Sequence, residues 1–520
     1  MVLKYCRRIL LLLSLLAYAT SISAQKLIEY EAGMGSRDPG DPDVWILYQR
    51  VKAMHEGMTL YADSALLNTV QNDFTAYRSI KIELSDTTTI FGDRLYYDGN
   101  SRVVDIWGDT VVFVDGGTVL KTDRLTFDRN TNIAYYERWG HSTNREDTLD
   151  SRIGRYNADL KIFYIYLDVV LHDSSSCLTT DTLIYNTQTE VANFVSPTHI
   201  VSDSSTIYSE LGFYDSRNHY AVSYLNSHVR SGVKTLSCDT LHYYEGPSYG
   251  KAFGHVVIFD SLNNITCTGN YGESNQEARF SFVTDSALVV FVDDGDSLFL
   301  HADTVYTTNN ENKEFETVRA NYHVKVFRRD VQGMCDSAFY SVPDSLIQLY
   351  YSPIVWYDSF QCTADTMDLY VDSNGLRLVY LKGGAMTAER LDQDKFNQVK
   401  GKRANVYFKE GEPDYADVLG SAQMVYYLTE EDSAGRQRLI GVNVGVGSDM
   451  RIYFNDRQPD KVTTYGNPDM TVYPYAQLPS DKRELQGFEW YMTQRPLQPM
   501  DVFKTTDKVA QKAPLAKDLK

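Results

Sequence analysis

Residues 119–128 read VLKTDRLTFD, and the phrase returns along the chain as TLYADSALLN (59–68), TIFGDRLYYD (89–98), CLTTDTLIYN (177–186), TIYSELGFYD (206–215) and TLSCDTLHYY (235–244). Weaker copies follow as LFLHADTVYT (298–307), QGMCDSAFYS (332–341), QCTADTMDLY (361–370) and AMTAERLDQD (385–394). An acidic residue anchors each copy: Asp63, Asp93, Asp123, Asp181, Glu210, Asp239, Asp303, Asp336, Asp365 and Glu389. Most neighbouring anchors stand about 30 residues apart, a period that specifies stacked layers rather than a string of unrelated domains. The two wide gaps hold degraded copies, RYNADLKIFY at 155–164 and TCTGNYGESN at 266–275.

Within the phrase, apolar residues alternate. Leu95 and Tyr97, Leu125 and Phe127, Leu183 and Tyr185, and Leu241 and Tyr243 sit two and four residues after their anchors. Period two is the mark of a strand with one buried face. Turn signals separate the strands at Asp98-Gly99-Asn100, Asp115-Gly116-Gly117, Asp294-Gly295-Asp296 and Ser373-Asn374-Gly375. A second strand follows the phrase, as in VVDIWGDTVVFVD (103–115) and KAFGHVVIFD (251–260). The expected fold is all-β: an elongated, repetitive stack of antiparallel strands. The anchor carboxylate is expected at a corner, accepting backbone N–H groups, because an active site has no use for ten copies.

The rest of the sequence narrows the function by exclusion. The chain has 520 residues, 39 of them Tyr and only 14 Pro, and a net charge of −19. No long basic run offers a footprint for nucleic acid. A mean hydropathy of −0.35 is not that of a polytopic helical membrane protein. Residues 1–24 pair Lys4, Arg7 and Arg8 with a short apolar core and a small-residue end at Ala24, the pattern of a cleaved export signal. Five cysteines follow it, Cys177, Cys238, Cys267, Cys335 and Cys362, an odd number with no CxxC, so they read as small apolar fillers. There is no GxSxG, HExxH, Walker loop or dinucleotide fingerprint, and the histidines are scattered, so no enzyme activity, cofactor or metal is expected.

The phrase x-Ala/Thr-Asp-x-Leu-x-Tyr, followed by a glycine-centred second strand, resembles the OstA-like, LptA-type lipopolysaccharide-transport family. LYADSALLN, KTDRLTFDRNTNIAYYERWG and TTDTLIYNTQTEVANF carry the resemblance best. The glycine stands at Gly108, Gly140 and Gly254 and is replaced by Ser196 and Ala320. The resemblance implies an open β-jellyroll whose two sheets hold the acyl chains of lipopolysaccharide in an apolar slot. Residues 25–455 would form it, after the signal at 1–24 and before an extended docking segment and disordered tail at 456–520. The eight residues named above, Leu95, Tyr97, Leu125, Phe127, Leu183, Tyr185, Leu241 and Tyr243, are the candidate lipid-facing set. The implied setting is the periplasm, in association with the outer membrane. The implied partners are lipopolysaccharide, transport components of both membranes joined by edge-strand addition, and further copies stacked head to tail. The competing reading is a secreted or surface spacer or adhesin with a dry core and no lipid cargo.

Overall fold

The computed structural model of the protein describes residues 26–504, apart from 247, 294, 295, 313, 373, 374 and 432–436. The export signal, the tail beyond 504 and the turn tips at 294–295 and 373–374 therefore lie outside the described residues. Strands run from Glu29–Glu31 to Asp469–Tyr473, and four short 3-10 turns follow. The chain forms two compact units, divided between Ser223 and Tyr224.

In the first unit successive layers pair antiparallel through tight turns, and some layers break at the corner into two short strands, as Ile133–Tyr136 and Gly140–Asn144 do against Thr118–Asp128. Thr88–Asp98 pairs with Val103–Asp115, which pairs with Thr118–Asp128. The alternation along a strand is not continuous, however. In Thr118–Asp128 the buried residues are Thr118, Leu120 and Thr122, then Leu125 and Phe127. The buried parity flips across Asp123 and Arg124, where the ladder also slips, between Trp107 and Val111 of the neighbouring strand. A slip of this kind turns the side chains to the opposite face and bends the strand. Each long strand thus gives one half to each of two facing sheets, and the anchor sits at the corner between them. The two inner faces meet: the ring of Phe113, from one half, lies 6.0 Å from Phe127 and 5.6 Å from Tyr156, from the other. This is the jellyroll layering, built by turning the layers at a corner rather than by pairing two separate sheets.

The corner explains the anchor. Consecutive residues there take left-handed backbone, as at Gln49 (φ 64°) and Arg50 (φ 57°), and at Arg78 (φ 62°) and Ser79 (φ 50°). That conformation costs an ordinary residue about 1–2 kcal/mol, and the anchor of the preceding strand helps to hold it. Asp63 does so by accepting from the Ser79 hydroxyl at 3.0 Å; at the next corner, which has no left-handed residue, Asp93 accepts the backbone N–H of Asp109 at 3.1 Å. The glycine of the second strand serves the same contact. A Cβ on Gly108 would stand 2.3 Å from Asp93 Oδ2, and one on Gly254 would stand 2.2 Å from Asp239 Oδ2. Where the sequence has Ser196 instead, its hydroxyl takes over, accepting the backbone N–H of Thr182 at 2.9 Å.

The second unit repeats the scheme, with ladder slips at Ser237/Thr240, Phe253/Val256, Thr268/Tyr271 and Thr284/Ala287. Strands continue past Asn455, as Gln458–Tyr465 and Asp469–Tyr473, both pairing with Gln437–Asn455. Residues 474–504 then turn back as a strap over the outer face of this unit. Gln361 and Gln398 alternate along their strands with Cys362 and Val399, which pack against the core, so the glutamines point outward. Each binds the strap like an added strand. Gln361 donates to the Glu489 carbonyl at 2.8 Å and accepts from the Tyr491 N–H at 2.8 Å. Gln398 does the same with the Arg483 carbonyl at 3.0 Å and the Leu485 N–H at 2.8 Å. Leu478 packs with Val425, Tyr427 and Val442, and Tyr491 packs against Met334, Ile354 and Trp356.

Candidate functional site

Six of the eight candidate residues lie in the first unit, and all six are sealed. Leu95, Leu125 and Leu183 are 0% exposed, Tyr97 and Tyr185 1%, and Phe127 2%. Thr126 and Ile184, which alternate with them, are less buried. Strand register puts Tyr97, Val104, Phe127, Ala134, Tyr156, Phe163, Tyr185, Ala192 and Tyr214 in one row across the sheet. Its large rings fill the space up to the opposite sheet.

The tyrosines of this row also close the mouth of the sandwich, the side opposite the corner. Each is the second-to-last residue of its strand, two residues from the turn, and its hydroxyl reaches a polar residue at the turn end of the facing half. Tyr97 bonds to His55 Nδ1 at 2.6 Å and accepts from Arg129 at 2.9 Å. Tyr156 donates to Asp115 at 2.8 Å, and Tyr185 donates to Asp147 at 2.5 Å. Tyr214 donates to Asp173. Further bonds span the gap, from Arg129 to the Glu56 carbonyl at 3.0 Å and from Ser216 to Asp147 at 2.7 Å. Burial above all, and then the neighbouring carboxylate, pushes the phenols of Tyr156 and Tyr185 well above their ordinary range, so both remain donors. Burial likewise holds the Asp147 carboxyl above the usual carboxylate range, although Tyr185 and Ser216 pull the other way.

The second unit is open where the first is filled. Leu241 is 1% exposed, but Tyr243 is only half-buried, and both line a cavity of about 160 Å³. The cause is legible in the register. The row that begins at Tyr243 continues through Gly250, Ser274, Ser281 and Thr307. The row beside it runs from Leu241 through Ala252, Gly272, Val283 and Val305. Small side chains have replaced tyrosine and phenylalanine in these two rows, and the contact that spans the mouth here is instead Lys234 over the Phe315 ring, at 5.3 Å. The facing wall stays apolar: Leu236, Ile258 and Cys267 are paired in register and line the same cavity. Ile258, Cys267, Val289 and Leu300 are only partly buried, while Val256, Ala287, Ala302 and Val324, nearer the corner, are sealed. The sheets therefore stay packed at the corner and part toward their turn ends. The chemistry is that of a greasy cleft with a polar rim at Ser231, Lys234 and Gln276. The residues that open it lie outside the repeated large positions of the phrase. The available signal was their loss at 250, 274, 281 and 307.

Among the described residues no group of three or more His, Cys, Asp or Glu side chains is placed to hold a metal ion, and no helix is long and apolar enough to cross a membrane.

The OstA-like protein family matches residues 28–173 and 156–239. Among solved structures, LptH of Pseudomonas aeruginosa, described as the LptA homologous periplasmic component of the lipopolysaccharide transport device, matches at 17% identity. That match covers 28% of this chain and 96% of LptH, with a TM-score of 0.22. No curated protein matches. Over residues 28–239, a repeat of bent strands with acidic corners, the chain is similar to the OstA-like protein family.

Proposed function

We propose that the protein is a non-enzymatic bridge of the lipopolysaccharide-transport type, working in the periplasm and holding acyl chains in the cleft of its second unit. The observation that carries the reading is that cleft: an apolar wall of Leu236, Ile258 and Cys267 facing a floor of small residues in a protein of OstA-like repeats. Each methylene moved from water onto such a wall contributes about 0.8 kcal/mol, so a segment of eight contributes roughly 6 kcal/mol. Bulk charge does not help, because the chain is at −19 and the glycolipid headgroup is anionic. Partner components of either membrane, or another copy, would join by strand addition. Among the described residues Gln458–Tyr465 and Asp469–Tyr473 each pair with Gln437–Asn455 alone, and Asp469–Tyr473 is exposed along most of its length.

The test is a photo-crosslinking residue at Ser281 or Thr307, on the cleft floor, in living cells. Lipopolysaccharide should be captured there and not at Tyr306, which is 40% exposed on the other side of the sheet. No capture from the floor of a folded protein would leave the spacer reading, which the sealed interior of the first unit favours.

A further inference from the structure

The cross-mouth bonds of the first unit have no counterpart in a simple strand ladder. They recur once per repeat, at Tyr97, Tyr156, Tyr185 and Tyr214, and each ties a turn end of one sheet to a turn end of the other. The position between Tyr97 and Tyr156 is Phe127, which packs at 6.0 Å against Phe113 instead. The partners are themselves anchored. Asp115 also receives Lys161 and the Thr88 hydroxyl, Asp147 receives Ser216, and Asn144 reaches the Thr187 carbonyl at 2.9 Å. Asp115 and Asp147 are 3% and 6% exposed. A buried carboxylate that loses its hydrogen-bond donor is costly, so the tyrosine and the acid hold each other in place. In the next repeat Tyr243 lies beside the open cleft, with Gly250 opposite it in register.

We propose that these tyrosine bonds are a latch that keeps acyl chains out of the first unit and confines cargo to the second. The proposal rests on the lipid-bridge reading for its cargo but not for its mechanics. The latch works by geometry: a chain can slide between the sheets only where the mouth parts, and four rungs of hydrogen bonds hold it shut from Tyr97 to Tyr214. Of the eight sequence candidates, only Leu241 and Tyr243 would then touch lipid in the latched state.

Two measurements on the full-length protein test this. In the first, Ala134→Cys places a thiol on the sealed inner face (0% exposed), and Ser281→Cys places one in the cleft. Maleimide labelling is read peptide by peptide by mass spectrometry. Ser281→Cys should label readily and Ala134→Cys should resist. Adding Tyr156→Phe and Tyr185→Phe, which keep the rings and remove the hydroxyls, should speed labelling at 134 by about tenfold for each bond lost. Equal labelling at 134 and 281 with the tyrosines intact, or no change at 134 in the folded double variant, would overturn the latch. In the second, a photo-crosslinker at Phe127 should capture lipopolysaccharide only when both tyrosines are replaced, while one at Ser281 captures it throughout. Capture at Phe127 in the intact protein overturns the confinement. Capture at neither position refutes the lipid cargo, and the thiol experiment still decides the latch.

Discussion

A charge placed on the inner face should have opposite consequences in the two units. Leu125 is fully buried at the centre of the first unit's core. Replacing it with Asp removes a large apolar side chain, at about 2–5 kcal/mol, and buries a carboxylate with no partner, at several kcal/mol more. The sum reaches the whole stability of an ordinary domain, about 5–15 kcal/mol, so Leu125→Asp should unfold the first unit. Ile258 carries a similar side chain on the cleft wall and is only partly buried. There the new carboxylate stays in contact with water and only part of the apolar burial is lost, so Ile258→Asp should cost about 1–2 kcal/mol. Hydrogen exchange by mass spectrometry reads the units separately, which a single melting curve does not. Ile258→Asp should leave exchange in both units close to wild type while reducing lipid capture at Ser281. Leu125→Asp should release protection throughout residues 58–215. Equal destabilisation by the two substitutions would mean that the second unit's interior at Ile258 is as dry as the first unit's core, with no open cleft there.

The corner and the mouth give two further predictions. Gly254→Ala should cost about 2–3 kcal/mol, because its φ is +70° and the new Cβ would stand 2.2 Å from Asp239 Oδ2. Gly250→Ala is the control: its nearest neighbour would be 3.8 Å away, so chemical denaturation should find it near neutral. The second concerns pH. Burial raises the folded-state pKa of Asp147, so the folded form takes up a proton before the unfolded chain does. The native state then binds more protons across that window, and this group's contribution favours folding increasingly as pH falls through the raised value. Asp147→Asn removes the contribution. The unfolding free energy of the wild type relative to the variant should therefore grow between pH 7 and the acid range, and a constant difference would refute the assignment.

The strand pattern, the turns at Asp98-Gly99-Asn100 and Asp115-Gly116-Gly117 and the corner position of the acids were legible in the sequence, because each rests on local spacing, although the donor expected there, a backbone N–H, is met at Asp93 and replaced by the Ser79 hydroxyl at Asp63. Leu125 and Phe127 announce a buried face by period two, and Gly108 announces a close approach by its recurrence after the anchor. Three things were not legible. The parity flip at Asp123 follows from pairing, and a single strand read alone shows only the half after the anchor as a clean alternation. The partners of Tyr156 and Tyr185 lie 41 and 38 residues earlier, at Asp115 and Asp147, and only the folded layers bring them together. The strap's docking on Gln361 and Gln398 spans 128 and 85 residues and uses polar side chains that carry no periodic signal. The eight candidate residues are large, apolar and repeated. Those properties fill a core, so six of the eight sit in the part of the protein with the least room for anything else.

Where a repeat keeps its backbone plan, the choice between a sealed and an open layer falls to a few side-chain volumes. Both units turn their layers at a corner, slip or break the ladder there and pack small or branched residues just inside it, such as Val111 and Thr122 in the first unit and Val256 and Ala287 in the second. The difference begins two residues from the turns. There the first unit sets Tyr97, Phe127, Tyr156 and Tyr185, long enough to touch the other sheet and mostly able to hydrogen-bond to it. The second sets Gly250, Ser274, Ser281 and Thr307, which reach nothing across the gap. Dispersion and hydrogen bonding both act only at contact, so the first arrangement pulls its sheets together while the second leaves them parted on an apolar wall. A parted apolar wall is poorly hydrated and stays costly until something covers it. The occupant with the lowest cost in that position is one that is apolar, narrow and able to run from layer to layer, which describes an acyl chain better than a folded partner.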